Sequence, residues 1–247
     1  MSKETSRRVV VAGGTGNVGA YLVRGLLEYG NTVVVPSRSP GKIDELKAYL
    51  AQHVDARSLG RLYTLVGDLV DEAQGEVLWR ELEAAIGTPD AVIASLGRFQ
   101  PTASLLQTAR ADLEAVLQDY LYAQFAVARR LLPQLTARGG TYVFVNGPLA
   151  FDVSDGSARV SIATAAQHML FKSLARELNG SNVRVFELVN YAFIRDRQTQ
   201  PASALRGEEV GTYAAYLLSY TGRELHGRSI HLRDQKSLAR ARQKFSA

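Results

Sequence analysis

The segment Gly13-Gly14-Thr15-Gly16-Asn17-Val18-Gly19 constrains this chain more than any other. An apolar β-branched run, Val9-Val10-Val11-Ala12, enters it, and an amphipathic stretch reaching Gly30 leaves it. A strand, a tight turn and a helix with free N–H groups at its start satisfy that order. In such a unit Gly13 makes the turn, Gly16 lets the backbone approach a pyrophosphate, and Gly19 lets the helix lie close to the strand. The uncapped N–H groups and the positive end of the helix dipole then face phosphate. The spacing G-x-x-G-x-x-G is one residue longer than the commonest dinucleotide fingerprint, so its place directly after a strand carries much of the weight. A glycine-rich turn that holds nothing is the alternative.

The chain has 247 residues, 46% of them hydrophobic and 21% charged, an ordinary composition for a globular domain. One α/β domain over 1–247 is expected. No apolar run approaches the roughly 18 residues of a membrane helix, and Met1–Arg8 holds no apolar core or cleavage site of a leader. The absence of cysteine excludes disulfides, a thiolate nucleophile and a cysteine zinc site. His53, His168, His226 and His231 have no ligand spacing. A metal-free cytoplasmic protein is the expectation. Of the net charge of +5, much sits at the end, in Arg228, Arg233, Lys236, Arg240, Arg242 and Lys244. Asp234 interrupts this run and no aromatic residues interleave it. A solvated terminal helix is therefore expected, with no nucleic-acid or membrane contact.

Strand and helix patterns alternate throughout. Strands are expected at Val9–Ala12, Thr32–Pro36, Leu62–Val66, Asp90–Ser95, Thr141–Val145, Val183–Val189 and Ser229–Leu232. Ser39-Pro40 opens a helix with Ile43, Leu46, Leu50 and Val54 on one face, and Asp71 caps another that Gly87 stops. Long helices are expected over Asp112–Leu135 and Ser157–Leu178, and a shorter one over Glu208–Ser219. This alternation implies a doubly wound, Rossmann-type parallel sheet of about seven strands with helices on both faces, a three-layer α/β fold. Two connections, Gly97–Ala111 and Asn190–Gly207, are long enough to be lids at the carboxyl edge of the sheet, where ligands bind. After the second strand an NAD site places a carboxylate for the ribose 2′-hydroxyl. Here the residues are Ser37, Arg38 and Ser39, which suit a 2′-phosphate instead. NADP(H) is thus expected over NAD(H).

The layout resembles the short-chain dehydrogenase/reductase family over nearly the whole chain. Gly67-Asp68-Leu69 resembles the family's adenine contact, and Ser95-Leu96-Gly97 stands at its strand end beside the nicotinamide ribose. Lys172-Ser173-Leu174-Ala175-Arg176-Glu177 resembles its second long helix, and Glu208-Glu209-Val210 with Glu224–Arg228 its C-terminal part. The resemblance implies a tyrosine as proton donor, a lysine one helical turn on that lowers its pKa, a serine on the substrate oxygen and an asparagine in a relay. With Lys172–Glu177 as anchor and no gaps, those positions fall on Val160, Thr164, Gly147 and Tyr120. No Tyr-x-x-x-Lys occurs in the chain, and Tyr191–Arg195 has the spacing only with an arginine, a poor proton exchanger. Losing a positioned acid costs typically 10²–10⁴ in rate.

No catalytic residue is therefore assigned. The expected cofactor residues are Gly13, Thr15, Gly16, Asn17, Val18, Gly19, Ser37, Arg38, Asp68, Leu69, Ser95, Leu96 and Gly97. Tyr120, Asn146, Gly147, Val160, Thr164 and Tyr191 form the expected pocket for an unknown small molecule. Three readings stand. One is a redox-inactive NADP(H) binder. The second is an oxidoreductase with another proton donor, such as Tyr120, although that ring also suits the space left by Gly147 and Val160. The third is an interaction protein. The resemblance implies a homodimer or homotetramer through the two long helices, with Ala165, Ala166, Met169, Leu170 and Leu174 as the face or as core.

Overall fold

Valines with no exposed surface form β1 (Arg8–Ala12), because a strand covered on both faces needs apolar side chains in both directions. The computed structural model describes residues 6–102, 104–201 and 203–245; residues 1–5, most of the segment read as carrying no leader, lie outside the described residues. Around β1 stand β2 (Thr32–Ser37), β3 (Leu62–Val66), β4 (Ala91–Ala94), β5 (Thr141–Asn146) and β6 (Arg184–Asn190). A small antiparallel hairpin, β7 (Ile194–Arg195) and β8 (Gln198–Thr199), follows β6, and β9 (Ser229–Leu232) closes the sheet. The seven-stranded sheet runs β3-β2-β1-β4-β5-β6-β9 with every pair parallel. The expected Rossmann-type fold is the observed one.

Alternate strand residues build two cores. Val9, Val11, Val33 and Val35 meet α1 (Asn17–Glu28), α2 (Pro40–Ala51) and α8 (Gly207–Ser219) through Leu22, Leu26, Leu46 and Val210. Val10, Val34, Val92 and Phe144 meet α4 (Glu72–Ile86), α6 (Ala123–Thr136) and α7 (Ala158–Glu177) through Leu78, Leu82, Val127 and Phe171. On the first face α1 and α8 cross at Gly25 and Gly211, where a Cβ on Gly25 would lie 2.2 Å from the Gly211 carbonyl carbon. Expected caps are in place: the Ser39 side chain accepts from Lys42 N and the Asp71 side chain from Gln74 N.

Three elements depart from the sequence expectation. A short helix α3 (Ala56–Leu59) capped by Asp55 was not expected, nor was the β7–β8 hairpin. The stretch expected as one helix over Asp112–Leu135 is α5 (Arg110–Leu117), a wide π turn over Gln118–Tyr122, then α6. Apolar periodicity reports which face is buried and is blind to one inserted residue. The terminal helix α9 (Gln235–Lys244) buries Ser237 and Ala241 and exposes Lys236, Arg240, Arg242 and Lys244, as expected of a solvated helix. Among the described residues no helix is long and apolar enough to cross a membrane.

The start of the sheet is tied by Arg8 and Asp90. The Arg8 backbone N–H and Nε donate to Asp90 Oδ2 at 2.8 and 3.0 Å, and Nη2 to Oδ1 at 2.9 Å. Burial raises the Asp90 carboxyl, but the Arg8 hydrogen bonds and charge outweigh it and hold it below 3.8. A depressed carboxylate contributes its stability above the unfolded value and loses it as pH falls through the folded one. Both side chains are more than a third exposed, which limits the pair to about 0.5–1 kcal/mol. Urea unfolding of Asp90→Asn should show that loss at neutral pH and a shrinking one toward pH 3; an equal loss at both would contradict the linkage.

Candidate cofactor cleft and the adjoining pocket

The sheet order reverses at β1, which leaves a crevice beyond the carboxyl ends of β1 and β4. A cleft of about 450 Å³ lies there. The turn contributes Gly13, Thr15 and Gly16, the end of β2 Ser37 and Arg38, the end of β3 Asp68 and Leu69, and the end of β4 Ser95, Leu96 and Gly97. Asn17 and Val18 open α1 beside it, and Gly19 is buried beneath the turn.

Glycine is dictated by contact at three points of the turn. Gly13 has φ +80, and a Cβ there would stand 2.0 Å from the Ser95 carbonyl oxygen. A Cβ on Gly19 would meet the Gly13 carbonyl oxygen at 2.1 Å, and one on Gly14 would meet Val35 Cγ1 at 2.8 Å. Gly16 is less crowded by protein, its Cβ position lying 3.2 Å from the Gly13 oxygen. It caps α1 without a side chain, so no protein group satisfies the first-turn N–H groups from that position. Turn and helix thus present donors and a positive dipole end to the crevice.

At the other end of the cleft Arg38 Nη1 lies 3.6 Å from Asp68 Oδ2, with the Arg38 side chain 77% exposed. Asp68 Oδ1 accepts from Val70 N at 2.8 Å, which orients the carboxylate and leaves Oδ2 to the cleft. Thr15 Oγ1 and Ser37 Oγ stand 3.4 Å apart. Sequence reasoning missed Lys42, Arg98, Gln118 and Asp119 on the same walls. Lys42 had a signal: a cation in the first turn of a helix opposes the dipole, so something else must favour it. Gln118 and Asp119 had none, because the π turn sets their direction.

The six residues expected to form a substrate pocket do not line this cleft. Tyr120 and Val160 instead form an apolar cluster with Val116 and Ala163, flanked by Leu117 and Leu149. The Tyr120 ring lies on Gly97, where a Cβ would be 2.2 Å from its Cε1. Burial, aided by Asp119 and opposed by Arg98, pushes its hydroxyl well above the ordinary tyrosine value, so it holds its proton. Thr164 turns its hydroxyl back to the Val160 carbonyl at 2.8 Å. Gly147 begins the turn after β5 and donates its N–H to Asn146 Oδ1 at 2.9 Å. Tyr191 Oη lies 3.0 Å from His231 Nδ1.

Asn146 is committed to the interior, its Nδ2 donating to the Thr164 carbonyl at 3.1 Å and to Glu187 Oε1 at 3.0 Å. Glu187, fully buried, also receives Ser229 Oγ at 2.7 Å and lies 2.8 Å from His168 Nδ1. The charge in the middle of β6 was missed because its partners come from β5, α7 and β9. Nearby, burial and Arg233 lower the His231 pKa against the pull of Glu187.

Known proteins resemble this chain in sequence or in fold. Nodulation protein G of Rhizobium sp. (strain N33) is 23% identical over 94% of this chain and 97% of its own length. An NADPH-bound short chain oxidoreductase of Pseudomonas aeruginosa, described as containing an atypical catalytic center, superposes with a TM-score of 0.79 at 21% identity, covering 92% of this chain and 95% of that one. A gluconate 5-dehydrogenase of Burkholderia cenocepacia, in complex with NADP and tartrate, gives 0.75 at 21% identity over 94% and 95%. The family described as short chain dehydrogenase matches residues 7–199, and this chain belongs to it.

Proposed function

We propose that the chain binds NADP(H) in the cleft of β1, β2 and β4 and does not act as an ordinary carbonyl or alcohol reductase. The observation that carries this reading is the contrast between two neighbouring regions. The glycine turn is shaped so that a Cβ at Gly13 or Gly19 would collide with backbone, and Arg38, Lys42 and Ser37 supply cationic and hydroxyl groups for a 2′-phosphate. Asp68 faces the same cleft and, beside its contact to Arg38, can still accept from an adenine amino group through Oδ2. Where the family resemblance puts proton transfer, Tyr120, Val160 and Ala163 form an apolar cluster. When bound, the dinucleotide supplies a hydride. Val160, Gly147 and Thr164 supply no acid for the resulting alkoxide, and Tyr120 packs into the apolar cluster instead of lining the cleft.

The two oxidoreductases above that hold NADPH or NADP favour the phosphorylated coenzyme. The Pseudomonas aeruginosa neighbour with its atypical centre also favours a second reading, an oxidoreductase with a non-standard proton donor. The same proposal takes residues 1–247 as one domain. It pairs the chain with a second copy through the α5–α6 and α7 faces, where Tyr122, Phe125, Ile162 and Met169 are exposed.

Calorimetric titration with NADPH and NADH tests the proposal. Tight NADPH binding without turnover over a panel of carbonyl compounds is expected. Turnover abolished by Tyr120→Phe would establish the second reading, and no binding at millimolar dinucleotide would overturn both. Arg38→Ala should weaken NADPH about 10- to 100-fold, the worth of one charge-assisted contact of about 1.5–3 kcal/mol, and leave NADH within about twofold. An equal loss for both coenzymes would remove Arg38 from the 2′-phosphate.

A further inference from the structure

The connection after β6 holds two residues with left-handed backbone, Asp196 at φ 50 and Arg197 at φ 56, between β7 and β8. A two-residue hairpin turn with positive φ at both positions is ordinarily built from Asn-Gly or Gly-Gly. A side chain with Cβ persists there only when its surroundings over-determine it. The surroundings of Arg197 do so. Tyr21 Oη, from α1, donates to the Arg197 carbonyl at 2.6 Å. The guanidinium donates to the Glu45 carbonyl at 2.9 Å, to Glu45 Oε2 at 3.3 Å and to the Thr15 carbonyl at 3.3 Å. Its neighbours in the hairpin differ sharply: the Arg197 side chain is 17% exposed, those of Arg195 and Asp196 75% and 83%.

Thr15 belongs to the glycine turn and Glu45 to α2, one turn beyond Lys42; Thr15 and Lys42 both line the cleft. A single planar fork therefore spans the two walls between which the cleft opens, and it comes from a segment distant in sequence. Arg197 itself does not line the cleft.

We propose that Arg197 is a positioning residue for the dinucleotide: it fixes the glycine turn against α2 and thereby couples the β6–α8 connection to occupancy of the cleft. The inference rests on the dinucleotide reading above. Because the clamp holds the turn rather than the 2′-phosphate, its loss affects NADPH and NADH alike. By linkage, a bound dinucleotide holds the hairpin down as firmly as the hairpin holds the turn.

The test compares Arg197→Ala, Arg197→Lys and Tyr21→Phe in the full chain. Arg197→Ala should weaken both NADPH and NADH about tenfold, unlike Arg38→Ala, and NADPH should no longer protect residues 194–199 from limited proteolysis. Arg197→Lys, which keeps the positive charge toward Glu45 but not the fork that also reaches Thr15, should recover part of the affinity. Tyr21→Phe frees the Arg197 carbonyl without touching the cleft and should weaken both coenzymes about threefold, which keeps the test decisive if Arg197→Ala folds poorly. Without any ligand, amide hydrogen exchange should quicken at residues 15–19 and along α2 in Arg197→Ala. Variants that bind both coenzymes and exchange as the parent does overturn the inference. A parent protein that binds neither coenzyme overturns the dinucleotide reading instead, and the exchange measurement then still decides the clamp.

Discussion

Gly19→Ala is expected to weaken NADPH binding at least about a hundredfold while the far-ultraviolet circular dichroism of the protein stays that of an α/β fold. The added methyl is the smallest side chain possible, yet it would sit 2.1 Å from the Gly13 carbonyl oxygen, 2.8 Å from Gly14 Cα and 2.9 Å from the Gly13 carbonyl carbon. All three are backbone atoms of the glycine turn, and none can rotate away. Either α1 moves off the turn or the turn moves into the cleft. A displacement of about 1 Å in groups that position a ligand is enough for a loss of this size. Forcing the extra atom into a packed site costs about 1–3 kcal/mol, or roughly 2–12 °C in Tm for a chain of this length. The checks are calorimetric titration and a thermal melt on one preparation. Unchanged NADPH affinity would separate the turn from the coenzyme altogether.

Glu187→Ala is expected to destabilise the sheet interior well beyond its isosteric counterpart Glu187→Gln. It takes the acceptor from Asn146 Nδ2, Ser229 Oγ and the His168 Nδ1 side at once, and those groups sit on β5, β9 and α7. A buried donor left without its acceptor costs about 1–3 kcal/mol, and with several such groups keeping their desolvation and losing their bonds about 3–5 kcal/mol in all is expected. That corresponds to roughly 6–20 °C in Tm. Glu187→Gln keeps the shape and one acceptor, and serine and the imidazole can both turn to accept, so about 1–3 kcal/mol is expected. Urea unfolding of both variants measures the difference. Equal costs would mean that loss of the carboxylate itself, and not the cavity or the donors stranded only in Glu187→Ala, sets the penalty.

Tyr120 and Glu187 divide what was legible from what was not. The sequence placed Tyr120 near the position where the family resemblance puts a relay asparagine, and offered two fates for it. Which fate holds depends on Val160 and Ala163 of α7 and on Gly97 at the end of β4, all far along the chain. Glu187 gave no signal, since a charge within Val183–Val189 breaks the apolar run without naming its partners. The turn residues were legible for the opposite reason: Gly13, Gly16 and Gly19 form a local motif whose geometry is set within seven residues.

The sequence by itself determined the alternation of strands and helices, the helix caps at Ser39 and Asp71, the glycine turn, and the lack of a Tyr-x-x-x-Lys spacing. These are matters of local backbone sterics and of apolar period, which neighbouring residues settle among themselves. Only the tertiary structure decided the π turn that carries Gln118 and Asp119 to the cleft, the Gly25–Gly211 crossing, the burial of Glu187 and the reach of Arg197 to Thr15. Each joins groups far apart in sequence, and no local preference encodes which distant surface a side chain will meet once the sheet has brought the elements together.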